Sequence, residues 1–220
     1  MSRIVITGCG GGLGEAMMNE CLKRGHKVYP HYRKGEVDKV FSGRLTGDTT
    51  DFNFPDKFGE YLKMNNIDVF INNAALYIGG PIEETSDHLI KRAIDVNVTS
   101  QILLLKKAFR RFKSMKSGLI ININSLSYQQ PSKNETIYCA TKFALKGFSK
   151  ALQMEAIGTG VEIIDVHPGG IQTGMTSGRP NYDSLMTRED VASQIVNLLG
   201  RGSSYTNEII LRKRNESSRS

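Results

Sequence analysis

The chain has 220 residues, 39% of them hydrophobic and 23% charged, with a formal net charge of +7. That length suits one globular domain with a sizeable core, and the composition excludes a disordered, fibrous or disulfide-built chain. Cys9, Cys21 and Cys139 are an odd number without metal-ligand spacing, no apolar run approaches membrane-spanning length, and no charged-then-apolar leader precedes the first strand, so free thiols in a cytoplasmic protein with no membrane association are expected.

The first fourteen residues set the plan. A β-branched run over Arg3–Thr7 ends in the turn Gly8-Cys9-Gly10-Gly11-Gly12-Leu13-Gly14, and a helical stretch over Leu13–Arg24 is closed by Gly25. Strand, glycine turn and helix form the geometry that holds a pyrophosphate on a helix N-terminus, where bare N–H groups and the helix dipole face the anion. Thr7, Gly8, Gly12, Leu13 and Gly14 are the expected contacts. Gly8 would make the tight turn, Gly12 would let backbone approach phosphate, and Gly14 would let helix and strand pack closely.

Further strands are predicted over Lys27–Tyr32, Arg44–Gly47, Asp68–Asn72, Gly118–Asn124, Val161–His167 and Glu208–Leu211. Pro30 falls inside the second and removes a ladder donor there, so that strand is expected to be short or bulged. One helix begins near Pro55, a good first helical residue. A longer helical region runs from Ser86 to Met115, and Leu105, Ala108, Phe109 and Phe112 mark an apolar stripe in its second half. Two more helices cover Tyr138–Ala156 and Arg188–Leu199. Ser203–Ser204 and the tail from Asn215 to Ser220 look loose. The alternation predicts an α/β fold: one doubly wound, Rossmann-type domain over 1–212, with a mostly parallel seven-stranded sheet covered on both faces and a basic tail over 213–220.

Ligands of such a sheet sit beyond the carboxyl ends of its strands. Those ends read Tyr32-Arg33-Lys34, Asp48-Thr49, Asn72-Asn73-Ala74-Ala75, Asn124-Ser125-Leu126-Ser127 and His167-Pro168-Gly169-Gly170. Tyr138 and Lys142 are four apart and share a helix face. A free tyrosine titrates near pH ~10, and a nearby ammonium favours the phenolate. Tyr138 is therefore a candidate general acid/base. Ser125 can donate a hydrogen bond where charge develops on a substrate oxygen; Ser127 is its weaker substitute.

Together these residues resemble the short-chain dehydrogenase/reductase family, from Arg3 to about Leu211. The opening turn matches the family's Thr-Gly-x-x-x-Gly-x-Gly at Thr7, Gly8, Gly12 and Gly14. Asn72-Asn73-Ala74-Ala75 is similar to its Asn-Asn-Ala-Gly, with alanine in place of the glycine. Tyr138-x-x-x-Lys142 is its signature pair, Ser125 lies at its usual offset before the tyrosine, and Pro168-Gly169-Gly170-Ile171-Gln172-Thr173 resembles its Pro-Gly-x-x-x-Thr. The resemblance implies a catalytic set of Asn97, Ser125, Tyr138 and Lys142. Asn97 would hold a water in a proton relay, and Lys142 would also grip the nicotinamide ribose. Asp48 resembles the residue that contacts adenine, with Thr49 beside it. Asn73, Ala74, Ala75, Pro168, Gly169, Ile171 and Thr173 complete the cofactor contacts that the resemblance implies.

The implied activity is hydride transfer between a nicotinamide and a small-molecule carbonyl or alcohol. No acid follows the second strand before Glu36, whereas Arg33 can meet a 2′-phosphate bidentately, so NADP(H) is favoured over NAD(H). Gly11 stands where the family often places a second basic residue. The turn also fits Thr-Gly-x-x-Gly-x-x-Gly through Gly11, the pattern of the sugar-nucleotide branch, but only 47 residues follow Thr173, too few for that branch's C-terminal part. Two rivals remain: an epimerase or dehydratase that retains its cofactor, and a non-catalytic dinucleotide-binding regulator.

Six positive charges lie between Lys106 and Lys116, and more lie at Arg212, Lys213, Arg214 and Arg219. No aromatic stacking platform accompanies them, so a solvated helix face is expected and a nucleic-acid partner is not. The 106–116 helix resembles the family's dimer-forming helix, which implies a homodimer or homotetramer. The four histidines lack ligand spacing, so no metal is expected. His167 reads as a packed histidine, Cys9 and Cys139 as small buried hydrophobes, and Met175, Met186 and Tyr182 as either pocket lining or lid packing in a short 173–187 lid.

Overall fold

The computed structural model describes residues 1–33, 43–200 and 205–214. Lys34, Ser203–Ser204 and the tail from Asn215 lie outside the described residues. Seven strands, β1 (Arg3–Ile6), β2 (Lys27–Tyr32), β3 (Leu45–Thr46), β4 (Val69–Asn72), β5 (Gly118–Ile123), β6 (Val161–Pro168) and β7 (Glu208–Leu211), form one sheet in the order β3-β2-β1-β4-β5-β6-β7. Every pairing is parallel. The helices are α1 (Gly12–Lys23), α2 (Phe54–Met64), α3 (Asp87–Ile94), α4 (Ser100–Met115), α5 (Thr136–Ala156) and α6 (Arg188–Asn197).

Both sheet faces are apolar because alternate strand residues point opposite ways. Ile4, Ile6, Ile71 and Ile121 meet α1 and α6 through Met17, Met18 and Ile195. Val5, Phe70 and Ile120 meet α2, α4 and α5 through Phe58, Phe112 and Leu152. The stripe Leu105, Ala108, Phe109 and Phe112 is buried there. Local chemistry sets the helix starts. Pro55 stands in the first turn of α2, Ser86 accepts the Leu89 amide ahead of α3, and Thr187 accepts the Asp190 amide ahead of α6.

One expectation is corrected. Strand β2 runs unbroken through Pro30, which pairs with Ile6. The Lys27 amide donates to Ser2 on the β1 side, so by alternation the position of the missing Pro30 N–H faces the β3 side. Pairing with β3 begins only at His31, so the proline deprives no partner. The region from Asp87 to Met115 is helical throughout, as expected, with a π-turn over Asp95–Thr99 joining α3 to α4, where the Ser100 amide reaches Asp95 O. Asn97 sits in that turn, and such turns frequently mark functional sites.

Strand order reverses at β1, which lies between β2 and β4. The exits of β1 and β4 therefore diverge to helices on opposite faces and leave a crevice between them.

Candidate active site

A cavity of about 990 Å³ occupies that crevice and extends over the exits of β5 and β6. That volume lies at the top of the range for small-molecule and cofactor sites.

At one end lies the glycine turn. Gly8 has φ +76°, and a Cβ on Gly14 would stand 2.1 Å from Gly8 O and 2.7 Å from Asn73 Nδ2, so α1 packs onto β1 only with glycine there. Gly11 precedes α1 and offers no side-chain cap, so the first amides of the helix stay uncapped beside the cavity. A Cβ on Gly11 would meet nothing within 4 Å. The expected contact Thr7 does not line the cavity. Its hydroxyl is buried and accepts the Asn73 amide at 2.9 Å and the Ala74 amide at 3.1 Å, tying the exits of β1 and β4 together.

His31, which sequence reasoning missed, holds the turn from below. Its Nδ1 accepts the Gly8 amide at 3.3 Å, and its Nε2 lies 2.9 Å from Gly47 O. The carbonyl requires Nε2 to carry the proton, so the ring is neutral. Burial lowers its pKa in the same sense. Asp48 lines the cavity, with Oδ1 accepting the Thr50 amide and hydroxyl and Oδ2 paired with Arg92 at 2.5 Å. Burial works to raise its pKa, but Thr50 and Arg92 outweigh that and hold it at about 2. Arg92 comes from α3, and nothing in its sequence neighbourhood pointed to the site. Thr49 is buried and lines the cavity, but the turn bonds go to Thr50. Exposed Arg33 stands on the cavity wall, as do Asn73, Ala74 and Ala75. Pro168, Gly169, Ile171 and Thr173 close the opposite side, where Thr173 packs against Gly12.

At the other end, α5 presents Tyr138 and Lys142, and the exit of β5 presents Ser125. Ser125 Oγ donates to Ser127 Oγ and accepts the Ser127 amide, each at 3.1 Å. Of the two serines, Ser125 is the one that lowers the Tyr138 pKa. Lys142 is buried, with Nζ 3.4 Å from Ile123 O and 5.5 Å from the Tyr138 ring centre. The expectation that Lys142 draws the tyrosine toward neutrality is not met. Burial pushes Tyr138 up to about 12, against a lowering by nearby Ser125, and burial pushes Lys142 down to about 8. Desolvation thus outweighs every lowering influence on the phenol.

Asn97 does not line the cavity. Its Oδ1 accepts the Leu76 amide at 2.7 Å, and its Nδ2 donates to Leu76 O at 2.7 Å and to Thr141 Oγ1 at 3.2 Å. The side chain thus pins the loop after β4 to α5.

A second cluster was not visible in the sequence. Buried Glu135 precedes α5 and is paired with Arg179 from the lid. The Tyr77 hydroxyl donates to the same carboxylate oxygen at 3.0 Å, and the Tyr77 ring meets the Tyr138 ring edge-on at 5.2 Å. Within the lid, Met175 lines the cavity, whereas Met186 packs against the core beside Ile171 and Tyr182 opens a short turn. His167 is buried, its ring centre 4.3 Å from that of Tyr128 at a tilt of 48°, and its pKa is pushed down to about 4 by burial and then by Lys146.

All three cysteines are free and buried, and burial pushes the Cys9 and Cys21 thiols up to about 12. Among the described residues no three His, Cys, Asp or Glu are placed to hold a metal ion, and no helix is long and apolar enough to cross a membrane.

The sequence matches the short chain dehydrogenase family over residues 2–182. It is 28% identical to an uncharacterized oxidoreductase of Staphylococcus aureus (strain MW2), over 94% of this chain and 95% of that one. The fold superposes with a TM-score of 0.86 on a putative NAD(P) dependent gluconate 5-dehydrogenase from Beutenbergia cavernae with bound NADP, at 26% identity over 96% of this chain and 94% of that one. It superposes with a TM-score of 0.84 on a 3-ketoacyl-(acyl-carrier-protein) reductase from Brucella melitensis complexed with NADH, at 22% identity over 96% and 95% of the two chains.

Proposed function

The chain belongs to the short chain dehydrogenase family, and we propose that it transfers a hydride between a nicotinamide dinucleotide and a carbonyl or alcohol carbon of a small molecule, with Tyr138 exchanging the proton. One observation carries this reading: a single cavity has uncapped amides and bare glycine backbone at one end, and Ser125, Tyr138 and Lys142 at the other. The donor set suits the dinucleotide, since Gly11 leaves open space where a Cβ would stand. When bound, the nicotinamide supplies or takes the hydride.

The chain's residues do the rest. Tyr138, held near 12, is fully protonated at neutral pH, the state a proton donor needs in carbonyl reduction. Ser125 shares the cavity wall with that phenol and steadies the substrate oxygen as charge grows on it. Lys142 lies one helical turn further on and would hold the ribose. Asn97 acts as a positioning residue through Leu76 and Thr141.

NADP(H) is the preferred cofactor, with Arg33 on the 2′-phosphate. Arg33 is an exposed cation on the cavity wall, and Asp48, the carboxylate nearby, is already engaged by Arg92. The Beutenbergia protein carries NADP at 26% identity. The working form is a homodimer or homotetramer, whose pairing would cover Leu103 on α4 and Phe143 on α5, 37% and 50% exposed. The 1–212 stretch acts as one domain, and buried free thiols suit a reducing, cytoplasmic setting.

The test is calorimetric binding of NADPH and NADH side by side, with Arg33→Ala, followed by turnover of a carbonyl panel with Tyr138→Phe. Tighter NADPH binding that collapses in Arg33→Ala is expected. Tyr138→Phe should keep cofactor binding and lose roughly 10²–10⁴-fold in turnover. Full turnover by Tyr138→Phe would overturn the proton role, and binding of neither dinucleotide would overturn the reading as a whole.

A further inference from the structure

We propose that Arg179 is the substrate-recognition cation of this site and that the preferred substrates are small oxo or hydroxy acids whose carboxylate it binds; this rests on the hydride-transfer reading above. Arg179 comes from the lid and lines the substrate end of the cavity, with its side chain 34% exposed. Two contacts fix its plane. One terminal nitrogen is on Glu135, and the ζ carbon lies 5.8 Å from the Tyr77 ring centre. A guanidinium has five donor hydrogens in a rigid fork. Among the described residues only Glu135 and Tyr77 meet that fork through side chains, so further N–H groups remain for a ligand.

Position and charge fix the ligand class. Tyr77 lies edge-on to Tyr138 at 5.2 Å, which places Arg179 one aromatic ring from the phenol. Among the described residues Glu135 is the one acidic residue lining this end, and Arg179 already neutralises it. Lys142 adds a second cation, and Ser127, Gln130 and Ser132 add only neutral donors and acceptors. The substrate end therefore carries a net positive field with a planar fork facing it, which suits a carboxylate bound bidentately. An amine would meet two cations and one engaged carboxylate. Glu135 is the aiming group: 6% exposed and fixed by Tyr77, it holds the guanidinium in place before substrate arrives. In the reduction, hydride goes to the carbonyl carbon, the Tyr138 proton goes to its oxygen, and the carboxylate on Arg179 is unchanged.

The experiment compares acetoacetate with methyl acetoacetate as substrates of the full chain with NADPH, alongside Arg179→Gln, Arg179→Lys and Glu135→Gln. Binding of butanoate and butanamide is read by saturation-transfer NMR with and without NADP⁺. The acid should exceed the ester in kcat/KM by about tenfold to a hundredfold, the yield of a charge-assisted pair. Arg179→Gln should erase that ratio chiefly through KM, Arg179→Lys should restore part of it, and Glu135→Gln, whose amide oxygen can still accept from Tyr77 and Arg179, should keep most of the preference. Equal use of acid and ester by the wild type, or a ratio that survives in Arg179→Gln, would overturn the proposal. So would equal loss of preference in Glu135→Gln and Arg179→Gln, which would reduce the arginine to a lid latch. Should neither compound be reduced, Arg179-dependent binding of butanoate over butanamide would uphold the anion site and reject the hydride-transfer reading for these compounds. Absence of that binding would reject the site itself.

Discussion

Glu208→Gln tests how charge holds the far edge of the sheet over the site. Glu208 starts β7, and its Oε1 lies 2.5 Å from Lys146 Nζ, 2.9 Å from the Tyr128 hydroxyl and 3.2 Å from His167 Nε2. Burial opposes ionisation, but Lys146 and Tyr128 outweigh it and bring the carboxyl from 4.5 to about 2. A drop of that size corresponds to about 3 kcal/mol at ~1.4 kcal/mol per unit. Because the side chain is 26% exposed, solvent screening reduces the expected loss on substitution to about 2 kcal/mol at pH 7. Glutamine still accepts from Tyr128, so packing is preserved and the loss reports charge. A depressed folded-state pKa stabilises above the unfolded value of 4.5, and that stability is lost as pH falls toward 2. Urea unfolding of both proteins should therefore show the gap shrinking to about 1 kcal/mol near pH ~3. A gap of the same size at pH 7 and pH 3, or none at pH 7, would refute the electrostatic account.

Gly14→Ala places a methyl 2.1 Å from a backbone oxygen that cannot yield, so a melting-temperature drop worth about 3 kcal/mol and loss of dinucleotide binding are expected. Gly11→Ala meets nothing within 4 Å and should melt like the wild type while binding dinucleotide more weakly in calorimetry, since its methyl enters the cavity. Asn97→Ala leaves the Leu76 amide and carbonyl without their partner and should cost about 2–4 kcal/mol in urea unfolding. Carbonyl reduction followed against pH should stay flat through neutrality and fall above about 8 as Lys142 loses its proton, well before Tyr138 titrates near 12; Lys142→Arg should move that fall upward.

What was legible in the sequence is what short spacings encode. The glycine turn, the seven strands and the Tyr138–Lys142 pair are each fixed within a few residues by periodicity or by a helical turn, and each lies where those patterns put it. The departures arise where a distant partner decides. Pro30 is harmless because the third strand is too short to need its donor, a fact of register. Thr7 faces the exit of β4 rather than a ligand, because two amides arriving from residues 73 and 74 take its hydroxyl. The Tyr138 pKa depends on burial supplied by the whole site, which a four-residue spacing cannot report. Glu135 and Arg179 lie 44 positions apart, and no pattern links them until the lid folds over α5.

The same reasoning explains polar residues that strand-by-strand reading leaves without purpose. Asn72, Asn122, Asp165 and Glu208 are register partners across β4, β5, β6 and β7. They form a row under α5: Asn72 donates to Asn122 at 2.9 Å, and Asn122 donates to Asp165 at 3.2 Å. From the helix, Ser149 donates to Asp165 at 2.5 Å, and Lys146 reaches both Asp165 and Glu208. Buried polar groups are costly unless paired, so this row admits one register of four strands and one seating of α5 upon them. Lys142 lies one turn before Lys146 on that helix, and Tyr138 one turn before that. The position of the phenol over the cavity is thus set by a cross-sheet row of side chains that extends 70 residues past it in the chain, to Glu208, which is why its helix could be read from the sequence and its placement could not.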